Sequence, residues 1–188
     1  MQVLFGTVLT IGETLAQLDD GNTAWQRDLS VSQNKIGDVL RAQGDLAGAL
    51  LSCRPGLAIA ERLTARDGRN TAWQRDLSAG QDNIGDVRQA QGNLSRALLS
   101  YRAGLAIREH LAAQDGGNSR WRRDVFLSLI RLTEILLQDG QRGDYVRDML
   151  VRWWGRRVGG DGRGLCGLGH GLLRWVRGDL GGIRLGVL

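Results

Sequence analysis

Residues 22–69, NTAWQRDLSVSQNKIGDVLRAQGDLAGALLSCRPGLAIAERLTARDGR, are followed without a gap by a near copy at 70–117, NTAWQRDLSAGQDNIGDVRQAQGNLSRALLSYRAGLAIREHLAAQDGG. The two stretches agree at 32 of 48 positions. Self-similarity at such a period marks an array of supersecondary units, each unable to bury its apolar face alone. A third, degenerate unit, 118–150, opens with Asn118, Trp121, Arg123 and Asp124 at the offsets of Asn70, Trp73, Arg75 and Asp76. It keeps the apolar spacing to about Leu137 and has lost the register by Met149. Upstream, Leu9, Ile11, Glu13, Leu15 and Asp19 stand one period before Leu57, Ile59, Glu61, Leu63 and Asp67, so 1–21 reads as the second helix of a truncated repeat. The chain then reads as a fragment of a longer array, with an apolar face on Met1 to Gln17 left uncovered and available for self-association.

Each repeat reads as two helices. The first runs from about Thr23 to Gln43, with Asn22 as N-cap and Gly44 in the left-handed position after its end. Trp25, Leu29, Ile36, Val39 and Leu40 fall on one broad stripe. The second starts at the cap Asp45, places Leu46, Ala49, Leu50, Cys53, Leu57 and Ala60 on one face, and is closed by Gly68. Gly92, Asn93, Tyr101, Leu105 and Gly116 repeat the plan. Pro55 falls well inside the second helix, where it costs about 3 kcal/mol; the copy has Ala103 there.

Composition agrees with an all-α chain. Of 188 residues 42% are apolar and 24% charged, with one Pro, two Cys and no β-branched clustering of the kind a sandwich or barrel needs. Cys53 and Cys166 are too few for a disulfide framework, which fits a reducing cytoplasm, and no segment reaches the roughly 20 apolar residues of a bilayer span. The net charge of +5 lies wholly in the tail: residues 1–150 hold 18 basic and 18 acidic side chains, residues 151–188 hold 7 and 2. That tail, with 12 Gly in 38 residues, is expected to be poorly ordered.

The run Ile36-Gly37-Asp38-Val39-Leu40, then Ala42-Gln43-Gly44-Asp45-Leu46, Ala49-Leu50 and Gly56-Leu57-Ala58-Ile59, resembles a tetratricopeptide repeat over roughly residues 22–147. Gly37 and Gly85 match the small residue at which the first helix touches the second. Ala49 and Ala97 match the small residue by which the second packs back, and Tyr101 matches its buried aromatic. The period is longer than usual, Cys53 replaces the aromatic in the first copy, Gly56 and Gly104 replace the second alanine, and the closing proline is absent. These departures resemble a long-period bacterial branch in which a Trp-Gln-Arg-Asp-Leu segment opens each unit. The resemblance implies an α-solenoid of antiparallel helix pairs, wound as a right-handed superhelix, whose inner groove binds peptides or partner proteins.

The residues that match groove-facing positions are Asn34, Asp38, Arg41, Asp82, Asp86, Gln89 and Glu134. Four carboxylates against one Arg imply a negative groove that favours a basic peptide, with Asp38, Asp82 and Asp86 as the foremost contacts. Trp25, Trp73 and Trp121 recur as packing residues of each first helix, although an interval of aromatics also suits base stacking. Arg27 and Asp28, repeated as Arg75 and Asp76 and as Arg123 and Asp124, suit surface or inter-repeat ion pairs.

No catalytic constellation, cofactor or metal is expected. Gly162, Gly164 and Gly167 satisfy G-x-G-x-x-G without a preceding strand, and Cys166 with His170 supplies only two ligands. Three readings of the tail stay open. It is a non-functional extension, an Arg and Trp surface for nucleic acid or an anionic membrane presented by the repeats, or an internal ligand of the acidic groove.

Overall fold

The structure is a computed structural model that describes residues 2–19 and 21–138. Six helices follow one another: α1 (Gln2–Leu18), α2 (Thr23–Ala42), α3 (Leu46–Arg66), α4 (Thr71–Ala90), α5 (Leu94–Gln114) and α6 (Ser119–Gln138), with no strand among the described residues. Each helix packs on the next, and α2 also packs on α4. All six belong to one unit. The readings made on the end of the third repeat and on 151–188 lie outside the described residues.

Local hydrogen bonding decides where the helices start and stop. Asn22 accepts the Trp25 amide at 3.1 Å, Asn70 the Ala72 and Trp73 amides, and Asp45 the Gly48 amide at 2.8 Å. Each side chain thereby satisfies an orphan donor of the first turn. At the end of α2, Gly44 takes φ +84°, its amide reaches Arg41 O at 3.0 Å, and the Asp45 amide reaches Leu40 O at 2.9 Å. Gly92 repeats this at φ +76° behind α4. Both are Schellman closures that need an αL residue, which glycine occupies without Cβ strain.

The end of α3 differs from the expectation that Gly68 closes it. Arg66 is the last helical residue, Asp67 is extended, and its Oδ1 accepts the Arg69 amide at 2.9 Å. Asp115 does the same for Gly117 at 3.0 Å after α5. A short carboxylate that captures the amide two residues on terminates the helix by itself, so no left-handed glycine is required.

Packing between the two helices of a repeat depends on close backbone approach. A Cβ on Gly37 would overlap Cys53 Sγ, and one on Gly56 would stand 2.9 Å from Ser30 O. Ser30 Oγ meanwhile donates to Gly56 O at 2.7 Å, tying α2 to α3 across the crossing. The glycines at 56 and 104, anomalous in the sequence pattern, are thus contact points; a Cβ on Gly104 would be 3.1 Å from Ser78 O.

Ala49, Cys53, Ala97 and Tyr101 are buried on the inner faces of α3 and α5. Ala16, Leu29, Ile59 and Leu63 form a cluster that joins α1, α2 and α3, and the half-buried Trp73 of α4 packs against it. Trp25 and Trp121 are half-buried as well. Pro55 lies inside α3, exposed, and the helix runs through it. On α1, Ile11 and Leu15 are 55% and 36% exposed, whereas Ile59 and Leu63, one period later, are both 7% exposed. None of the helices among the described residues is long and apolar enough to cross a membrane.

Candidate functional site

The first helices α2, α4 and α6 bring four of the seven sequence-derived residues to one groove. Arg41 comes from α2, Asp86 and Gln89 from α4, and Glu134 from α6; Ala90, Tyr101 and Arg131 complete the lining of a volume of about 540 Å³. The site exists because these helices recur at one period, α2 packing on α4 and α6 reaching α4 through the side chains of Arg131 and Gln138, so equal positions in successive repeats become spatial neighbours.

A network of charge-assisted bonds runs from Arg131 and Asp86 of this lining to Asp82 and Arg108. Arg108 of α5 grips Asp82 with both terminal nitrogens, at 3.1 and 2.7 Å, and its Nη1 also donates to Ser128 Oγ at 2.8 Å. Arg131 Nη1 lies 3.2 Å from Asp82 Oδ2 and 3.4 Å from Asp86 Oδ1, bridging the two carboxylates. Arg41 Nη2 stands 3.9 Å from both Asp86 and Asp38, an ion pair without a hydrogen bond.

This arrangement corrects the expected charge balance. Beside Asp38, Asp82, Asp86 and Glu134 stand Arg41, Arg108 and Arg131, so the surplus of three carboxylates shrinks to one. Asp82 is itself a buried, doubly paired side chain with 13% exposure, which makes it a structural anchor and not a surface contact. Asp38 is open, with 43% side-chain exposure. Asn34 is turned toward the helix interface: its Oδ1 would lie 3.3 Å from a Cβ on Gly56, its Nδ2 3.8 Å from one on Gly80. Glu134 is exposed and has no ion-pair partner among the described residues.

Tyr101 places a hydroxyl at the groove floor, 2.7 Å from Asp86 Oδ1 and 2.9 Å from the Gln89 side-chain oxygen. One phenolic proton serves one acceptor. Turning the Gln89 amide, together with that of Gln138 3.0 Å away, gives a consistent chain: Gln138 donates to Gln89, Gln89 to the Tyr101 hydroxyl, and Tyr101 to Asp86. Burial, then the hydrogen bond to Asp86 and its charge, push the Tyr101 phenol well above its ordinary value. The fully buried Cys53 thiol is likewise pushed up to about 11, chiefly by burial.

Outside the groove, the recurring Arg-Asp pair connects repeats. Arg27 Nε meets Asp76 Oδ2 at 2.5 Å, and Arg75 Nη2 lies 3.7 Å from Asp124 Oδ2. The bond to Asp76, then the charge of that carboxylate, raises the Arg27 pKa. Asp82 and Arg131 share this spacing of one period plus one residue. That spacing of opposite charges is the signal by which Arg131 was findable in the sequence. Arg108, reaching Asp82 from a second helix, left no such trace.

Among the described residues no group of three His, Cys, Asp or Glu side chains is placed to hold a metal ion. Comparison with models of protein families, with curated proteins and with solved structures found no match.

Proposed function

We propose that the chain is an α-solenoid of tetratricopeptide-like repeats that acts as a non-catalytic docking scaffold, holding a peptide or partner protein in the groove of α2, α4 and α6. The observation that carries this reading is the convergence of Arg41, Asp86, Gln89 and Glu134, from three helices one period apart, on a single open volume. An extended polar groove suits a ligand that runs along successive repeats. Because Asp82 and Asp86 are already held by arginines and Asp38 stands 3.9 Å from Arg41, the partner's basic side chain goes to Glu134.

The test is selection from a random peptide library displayed on phage, with the full chain and its Glu134→Lys variant as baits. The expected result is a set of peptides enriched in Lys or Arg that the variant loses while its melting temperature stays unchanged. Enrichment that survives Glu134→Lys, or none with either bait, would falsify the reading.

A further inference from the structure

The Arg-Asp pairs that join successive repeats form a ladder with two open ends. Arg27 of α2 meets Asp76 of α4, and Arg75 of α4 meets Asp124 of α6. At either end the next rung has one member only. Asp28 on α2 and Arg123 on α6 are exposed, and neither has an ion-pair partner among the described residues. The two ends are opposite in sign, so the last rung of one copy suits the first rung of another.

The helices at the two ends are incomplete in matching ways. Among the described residues α1, in the register of a second helix, has no first helix before it, and α6, in the register of a first helix, has no second helix after it. On α3, Ile59 and Leu63 are closed against Leu29 of their own first helix, whereas Ile11 and Leu15, their equals on α1, are open. On α2, Ser30 donates to Gly56 O, Gln26 accepts from Arg62, and both are buried, as are Gln74 and Ser78 on α4. Their equals on α6 are Arg122, which is exposed, and Phe126, which is half-buried. Ile11 and Leu15 lie in the C-terminal half of α1, Arg122 and Phe126 in the N-terminal half of α6. Those are the halves that meet in an antiparallel pair such as α2 and α3, where Arg62 reaches Gln26.

The chemistry of α1 agrees. A solenoid end that faces water carries a polar outer surface. α1 has one charged residue, Glu13, among 17, against four in α3. Thr10 and Thr14 turn their hydroxyls back to the carbonyls of Gly6 and Thr10, at 2.9 and 2.6 Å, so their donors need no water.

We propose that the chain assembles head to tail, α1 and α2 of one copy docking on α6 of another, with α1 as the missing second helix of the degenerate repeat and Asp28 as the carboxylate for Arg123. Such a heterologous contact uses different surfaces on the two copies and adds further copies unless its rotation closes a ring. Because Phe126 and Val8 hold the register of Ser30 and Gly56, the crossing is wider than that of α2 and α3. The interface shares no residue with the lining of the groove and stands whether or not that groove takes a peptide.

The test is sedimentation velocity of the full chain over a range of concentrations, with variants that melting curves establish as folded. The parent chain should form species larger than a dimer as concentration rises. Ile11→Asp blocks the face of α1, and Arg122→Asp with Arg123→Asp blocks the end of α6. Each should be monomeric alone, and an equimolar mixture should give a one-to-one pair, because one keeps an open α6 and the other an open α1. Arg123→Asp by itself should weaken association about fivefold or more, and adding Asp28→Arg to it should restore association. A parent chain that stays monomeric overturns the proposal, as do association retained by either blocked variant alone, a mixture that stays monomeric, and an Arg123→Asp variant that associates as the parent does.

Discussion

The ring of Tyr101 lies so close on Gly85 that a Cβ there would stand 2.6 Å from Cε1. The same contact in the preceding repeat sets Cys53 Sγ against Gly37. In both, the missing Cβ of the first helix makes room for the buried side chain of the second, so helix pairing depends on volume complementarity at a single point.

Gly37→Ala should therefore destabilise the fold by roughly 1–3 kcal/mol, overpacking outweighing the better helix propensity of alanine. Adding Cys53→Ala removes the sulfur that the new methyl would meet. Chemical denaturation of the two single variants and the double variant checks this. The double variant should be more stable than the sum of the singles predicts, and simple additivity would contradict the contact.

Pro55 removes a backbone donor from the middle of α3. Since the site is exposed and its repeat counterpart is Ala103, Pro55→Ala should stabilise by on the order of 1–3 kcal/mol and raise the melting temperature. A calorimetric scan that shows no rise would mean that the helix accommodates the ring at no cost.

Asp82 and Glu134 should separate cleanly in experiment. Asp82→Asn leaves Arg108 with a neutral partner in a largely buried site and should cost about 3 kcal/mol or more of stability. Glu134→Gln, at an exposed and unpaired position, should change the denaturation midpoint within error. Equal effects from the two substitutions would contradict the assignment of Asp82 as anchor and Glu134 as open contact.

Stability should decline in alkali through two buried acids. In the folded chain Cys53 titrates at about 11 against an ordinary value of 9.0, and Tyr101 titrates above its ordinary 10.0. As pH rises through 9 the unfolded chain loses the thiol proton while the folded chain keeps it, so the unfolded state binds fewer protons and stability falls. The Cys53 contribution is complete below about pH 9 and lost by about 11; Tyr101 extends the decline upward from 10. Urea midpoints measured from pH 7 to 11 should fall less steeply for Cys53→Ala and for Tyr101→Phe. Slopes identical to that of the parent chain would show that neither group carries the linkage.

Much of this was legible before any tertiary contact was known. Asn22, Asp45, Asn70 and Gly44 mark helix ends because their side chains or backbone freedom act within a few residues. The assignment of Gly68 as a terminator failed because Asp67 ends the helix first, a competition between two local devices that residue type alone does not rank. Gly56 looked like a defect in the pattern and is a point of backbone contact with Ser30, visible only once the helices cross.

The amino-acid sequence by itself determined the period and the helices within it, because periodicity and capping are short-range properties of the chain. Which polar residues stay available was decided by the tertiary structure. Asp38 and Asp86 occupy the same place in the pattern, yet Asp86 is held by Tyr101 and Arg131 from two other helices, whereas Asp38 meets only Arg41 of its own helix, at 3.9 Å. Charge compensation depends on distances of a few ångströms between residues far apart in the chain and on how much water is excluded around them, and both are set only when the helices pack.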